Sequence, residues 1–296
     1  MKLINQAIIV LLPLVIAMNT NHVDDARSLR RRPTTPAPPT TSQDSCRPLV
    51  FRMKSVCGDA VEAIQALQRG LGLPEELFQY DENGNLVQPE RQDFDFDVAE
   101  YLRELTQIAL PEGMVLDWVY DMNWGGGQPL LYVRDQQKGP FATIDEYRSA
   151  VCPTSSCPSF MDQMSSVNNA PQGYMQLAVL HVMGEQFYQW WHALLNDYKI
   201  IYNQESLELT LSDIQAEEYS EQGSCGSLTN EEMDQVRAID LEPTVTYDTD
   251  ESTKIRASLI VFSKWGGFSR KTLVFAANGM SVEYEKLVDY EVCWIY

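Results

Sequence analysis

Apolar and polar residues follow three regimes along the chain: one short unbroken apolar run, a middle of mixed periodicity, and an end that reads as strand. In the middle, Val61, Ile64 and Leu67 of GDAVEAIQALQRGL recur at helical spacing, with Asp59 as the expected cap. DFDVAEYLRELTQIAL predicts a second helix, and MVLDWVYDM and PLLYVRD predict strands around NWGGGQ. Residues 174–198 predict the longest helix. At about 100° per residue, Leu180, Phe187, Trp191 and Leu194 gather on one side with Met183 and Trp190 beside them, a stripe wide enough to be core. KIIY predicts a short strand, and SLELTLSDIQAEEY is readable as helix or strand. PTVTYD, KIRASLIVFS, KTLVFAA and SVEYEKLVDYEVCWIY are rich in β-branched and aromatic residues and are separated by Gly or Asn breaks. They predict an antiparallel meander. Helices followed by strands predict an α+β fold closed by a C-terminal antiparallel sheet.

The unbroken apolar run, Ala7–Ala17, is shorter than the about 20 residues a membrane-crossing helix needs. Lys2 precedes it, and Val15 and Ala17 supply small residues at the −3 and −1 positions of a cleavage site. Residues 1–17 therefore read as a secretory signal peptide, and the expected location is outside the cell, with no stable membrane insertion after cleavage. Residues 18–45 read as a disordered arm, because RSLRRR and PTTPAPPTTS cannot build a core and favour extended, solvated backbone. The body is expected over residues 46–296, as one core or as two lobes, 46–160 and 161–296.

Export changes the reading of the cysteines. An even count behind a signal peptide predicts disulfides rather than metal ligands, so Cys46, Cys57, Cys152, Cys157, Cys225 and Cys293 are all expected to be oxidised. Cys152 and Cys157, in CPTSSC, are the pair most easily closed locally; the rest of the pairing stays open. Charge narrows the partners. The 42 Asp and Glu outnumber the 22 Lys and Arg, for a formal net charge of −20. Such a chain is repelled by nucleic acid backbones and anionic membranes. A protein or a glycan is the expected partner.

Chemistry concentrates in HVMGEQFYQWWH, His181 to His192. On the predicted helix His181, Glu185, Tyr188 and His192 share an arc of about 60°. Eleven residues separate the histidines, about 16 Å along the axis, so one metal cannot hold both, and no metal site is expected. Tyr188, His192 and Asn196 form a further i, i+4, i+8 trio. These residues suit a polar binding surface, or the acid–base cleft of a hydrolase around His192 or around His181 with Glu185. The W-G-G triplets at Trp124 and Trp265 lie between strand-like runs. A tryptophan at such a tip offers a flat face to a sugar ring or a partner's pocket, while the glycines make the turn. QYDENGNLVQPE can be laid on a calcium loop, but Gln79 stands where the first carboxylate belongs, and DENGN is a strong turn signal. No Walker loop, dinucleotide fingerprint or G-x-S-x-G occurs, and no cofactor is expected.

Three stretches resemble known patterns. Arg27 to Arg30 spell R-x-L-R behind the signal peptide, which resembles RxLR-type effectors secreted by oomycetes, although the acidic E-E-R that follows in many of them is absent. The resemblance implies an exported effector; the same arginines also make an R-x-x-R processing site. EQGSCGSL resembles the papain-type signature but has Leu228 where the nucleophilic cysteine belongs, and no histidine follows His192. QFYQWWHALLND and KWGGF are similar to stretches of uncharacterised proteins, over roughly residues 110–296, and imply a fold without a chemistry. The sequence reading is thus a secreted acidic protein that acts by binding, with a secreted hydrolase as the alternative.

Overall fold

A computed structural model describes residues 48–73, 80–84, 87, 96–123, 126–152, 157–196, 198–218, 228–248 and 254–290. They belong to one compact unit, Asp44–Tyr296. The signal peptide, the arm, Cys46, Cys225, Cys293, Trp124, most of the calcium-like loop and all of the papain-like stretch but Leu228 lie outside the described residues.

The fold is α+β. The predicted meander is present as β7 (Thr244–Tyr247), β8 (Ile255–Ser263), β9 (Gly267–Ala276) and β10 (Gly279–Val288), each antiparallel to the next. Two further strands complete a six-stranded sheet. β1 (Leu49–Arg52) pairs with β7, and β6 (Lys199–Ile201) pairs with the far end of β8. Strand alternation gives this sheet two apolar faces. Ala257, Leu259 and Val261 of β8 and Leu273 of β9 belong to the main core, under α1 (Lys54–Gln68) and α4 (Pro171–Met183). Ile260, Phe262 and Phe268 face the other way, into a second cluster with α5 (Gln204–Glu218) and α6 (Asn230–Arg237). The stretch that read as helix or strand is therefore a helix, α5.

A separate hairpin, β3 (Met114–Asn123) with β4 (Gly126–Asp135), covers the end of α4. One face of it carries Trp118 and Leu131 into the main core. The other carries Val119 and Tyr132 against α3 (Ile144–Val151). Thr143 caps α3 by accepting from the Glu146 N–H at 3.2 Å, and Cys152, just past its end, is bonded to Cys157.

Three expectations need correction. Asp59 does not cap α1: the helix begins at Lys54, so Asp59 lies inside it, where it accepts from Ser55. The second predicted helix is the single turn α2 (Glu100–Glu104), after which Ile108–Ala109 become strand β2, paired with β5 (Ser165–Ser166). Cys57 is not oxidised. It sits on the inward face of α1, fully enclosed, and burial pushes its thiol up to about 12. There it packs as a small apolar side chain. One reduced cysteine and one closed pair leave an odd number, so intrachain disulfides cannot consume all six. Thiol reagents should leave Cys57 untouched in the native protein and label it on denaturation without reductant, as read by peptide mapping; an oxidised Cys57 would refute its assignment.

Candidate functional site

The predicted 174–198 helix ends at Met183. The next residues serve the hairpin instead. Trp190 exchanges both backbone hydrogen bonds with Gly127, at 2.8 and 3.2 Å, and the Glu185 carboxylate accepts the Leu131 N–H at 2.8 Å. Pro129, between these two positions, has no N–H to satisfy. The outer edge of β4 is thus covered, and an edge left with free donors would be a pairing liability. Tyr188 turns the chain at a φ of 49°, and its carbonyl accepts the Tyr120 hydroxyl at 2.8 Å. The end of α4 is closed by side chains from other elements. Gln68 Nε2 donates to the Met183 carbonyl at 2.8 Å, and the Tyr101 hydroxyl donates to that of Gly184 at 3.1 Å.

The co-facial set of histidines therefore dissolves. His181 is on the last turn of α4, Tyr188 is buried in the main core, and His192 is on a separate 3-10 turn, Trp191–Asn196. The 16 Å axial spacing no longer applies, because no continuous helix joins the two histidines. Leu194 is not core: it is 50% exposed, whereas Leu180, Met183 and Phe187 are buried as expected. The side chains of Trp191 and Asn196 lie outside the description.

A different group replaces it. Lys271 of β9 stands opposite Leu259 on one side and Tyr284 on the other, on the sheet face turned toward the main core. It is 4% exposed, and its ammonium lies 5.0 Å from the ring centre of Tyr198 and 5.4 Å from that of Tyr284. Desolvation brings this lysine down to about 8, partly opposed by Glu185. Desolvation likewise pushes Glu185 up to about 7, against the Leu131 N–H and Lys271, which favour its charged form. His181 is held down to about 4, by burial first and by Lys271 second. Tyr147, 1% exposed, keeps a hydroxyl with no hydrogen-bond partner among the described residues, and burial and then Glu185 raise its pKa. Strand periodicity was the available signal for Lys271, which shares parity with Leu273 in SRKTLVFAA. A lone lysine on an apolar face is the clue to this group that the sequence carries.

The sign of the pH response follows. His181 takes up a proton near 6.5 when unfolded and near 4 when folded, so its contribution to stability falls as pH drops from 6.5 to 4. Glu185 acts oppositely, losing stability as pH rises from 4.5 to 7. The two nearly cancel where their windows overlap. Replacing His181 by Asn exposes the Glu185 limb: relative to wild type, the variant should gain about 2 kcal/mol between pH 7 and pH 4, after discounting for partial exposure of the ring. Urea unfolding at the two pH values measures this, and a constant difference between the proteins would refute it.

Tyr198 connects this group to a groove of about 750 Å³. The exposed face of α1 and the facing side of α5 form its walls, and Tyr198–Ile200 and Tyr202 line it between them. Amides and hydroxyls contribute to the lining, among them Gln65, Gln186, Asn203, Ser55 and Thr210, beside charged and apolar side chains. Lys199 holds Asp213 at 2.6 Å across β6 and α5. The groove was not legible in the sequence, because its walls are 140 residues apart at Glu62 and Tyr202, which meet at 3.4 Å.

The last glycines of the two W-G-G triplets occupy comparable positions. Gly126 has a φ of 130°, and a Cβ there would lie 2.4 Å from the Trp190 carbonyl oxygen. Gly267 has a φ of 66°, and its Cβ would lie 2.3 Å from the Val288 carbonyl oxygen. The last glycine of each triplet thus admits a neighbouring backbone. The His192 ring lies 5.9 Å from that of Trp265, so the second triplet meets the segment that packs on the first.

No known protein family matches the chain, and no curated protein or solved structure matches it.

Proposed function

We propose that this is a secreted, acidic protein that acts by binding a polar ligand or partner in the groove between α1 and α5. The observation that carries the reading is the groove itself. Its volume of about 750 Å³ lies within the range of small-ligand sites, and its lining converges donors and acceptors from three elements on one space. Export rests on the apolar run Ala7–Ala17, and sequencing of secreted protein should find Met18 or a later residue at the N-terminus. The R-x-L-R order at Arg27–Arg30 supports delivery as an effector, tested by uptake of an Arg27→Ala, Arg30→Ala double variant.

A thermal-shift screen of short oligosaccharides, peptides and polar metabolites tests the binding reading. Gln65 is an exposed residue of the groove wall, so Gln65→Trp should fill the space without disturbing the core. Ligands that stabilise the wild type and fail on this variant support the reading, and ligands that stabilise both equally refute the location. A second reading, a secreted hydrolase, is favoured by Glu185, whose carboxyl is pushed up to about 7 by burial and which, like His181, feels the charge of Lys271. Hydrolysis of a glycan or peptide substrate that is lost in Glu185→Gln, with an unchanged melting temperature, would establish it.

A further inference from the structure

We propose that the groove takes an uncharged oligosaccharide, with the open face of Tyr198 as the platform on which a sugar ring stacks. This rests on the reading of the groove as a binding site and names its ligand class.

Charge decides first. The whole chain carries −20, yet three lysines and arginines line the groove against four carboxylates. Three of those carboxylates already have partners: Asp213 is held by Lys199 at 2.6 Å, Glu62 meets the Tyr202 hydroxyl at 3.4 Å, and Asp59 accepts from the Ser55 hydroxyl at 3.4 Å. The groove is therefore the near-neutral part of a strongly acidic protein. A polyanion is repelled by the chain's overall charge, and a polycation meets a lining whose charges nearly balance.

Hydrogen-bonding chemistry decides next. Sugar hydroxyls both donate and accept, and amide side chains do the same from one planar group. Gln65 lies exposed on the α1 wall, and its amide makes no hydrogen bond to a described residue. Asn203 uses its carbonyl oxygen on the Ser206 N–H at 2.7 Å and keeps its NH₂. A peptide would call for apolar anchor pockets. The large apolar side chain exposed along the groove is Leu209, at 65%, and the other aliphatic residues of the lining are buried.

The ring of Tyr198 supplies the face. It lines the groove, whereas Lys271, whose ammonium lies 5.0 Å from the ring centre, does not. Lys271 is thus on the core side of the ring, against which Tyr198 packs, and a sugar entering the groove would meet the ring from the other side. A ring propped from behind loses little freedom when a ligand lands on it, and the C–H face of a sugar is the flat apolar surface that such a ring accepts.

Titration calorimetry with cellohexaose, laminarihexaose and chitohexaose, and with an oligogalacturonate as charged comparison, tests the proposal. At least one uncharged hexasaccharide should bind, and the oligogalacturonate should not. Tyr198→Ala should weaken binding about tenfold or more, while Tyr198→Phe keeps it, since the ring and not the hydroxyl does the stacking. Gln65→Trp, whose substitution is on the surface, should abolish binding with an unchanged melting temperature, which guards against a folding defect in Tyr198→Ala. Binding of none of the three uncharged sugars overturns the proposal. If peptides or other compounds bind and lose their effect on Gln65→Trp, the ligand class is wrong and the groove reading stands. Sugar binding that survives both Tyr198→Ala and Gln65→Trp overturns the proposal and the groove reading together.

Discussion

Replacing Trp118 by alanine should cost about 3–5 kcal/mol, the range for large aromatics removed from cores. Trp118 is fully enclosed on the inner face of β3. Its ring meets Phe187 edge-on at 5.3 Å and Tyr188 at 5.9 Å, and its indole N–H donates to the Phe96 carbonyl at 3.2 Å. Truncation removes the ring contacts, leaves a cavity and takes that donor from Phe96. Because Phe187 and Tyr188 belong to the segment that covers β4, the hairpin loses its hold on the end of α4 as well. Urea unfolding of Trp118→Ala beside Leu209→Ala checks this. Leu209 is 65% exposed and should change stability by no more than about 0.5 kcal/mol. Similar losses in the two variants would mean that the hairpin does not depend on this core.

Gly126→Ala should cost about 2–6 kcal/mol, from two sources that add. A side chain at a φ of 130° carries backbone strain of roughly 1–3 kcal/mol. Its Cβ would also stand 2.4 Å from the Trp190 carbonyl oxygen and 2.9 Å from the Ala193 nitrogen, both backbone atoms that cannot swing aside. Forced displacement of packed groups costs about 1–3 kcal/mol more. The bridge between Gly127 and Trp190 is the bond most exposed to that displacement. Gly139→Ala is the comparison, since nothing lies within 4 Å of its Cβ position and its φ is ordinary. Hydrogen exchange at Gly127 and Trp190 should rise in Gly126→Ala and not in Gly139→Ala. Unchanged protection and equal stability would show that the tip tolerates a side chain.

Particular residues show where sequence reasoning held and where it stopped. The meander was legible because β8 and β9 alternate strictly enough to place Ala257, Leu259 and Leu273 on one face and Ile260 and Phe268 on the other. The hairpin around the first W-G-G was legible for the same reason. The helix over 174–198 was overextended because Glu185 to Trp191 keep an amphipathic spacing that local periodicity cannot tell from helix. The open edge of β4 competes for that segment, and two backbone hydrogen bonds at Gly127 with one carboxylate at Leu131 outweigh another helical turn. Cys57 misled for a related reason: an even count of cysteines says nothing about which of them faces a core.

By itself the sequence determined the α+β class, the order of the C-terminal strands, the local Cys152–Cys157 bond and the acidic balance, all of which depend on neighbours in the chain or on totals. Tertiary structure alone decided that Lys271 and Glu185 share one desolvated space, that Tyr198 touches both a buried lysine and a groove, and that His181 and His192 part company. The physical reason is that desolvation and edge pairing are set by what arrives from distant segments. A side chain's charge, exposure and partners are properties of the space it enters, and periodicity along its own element carries no record of that space.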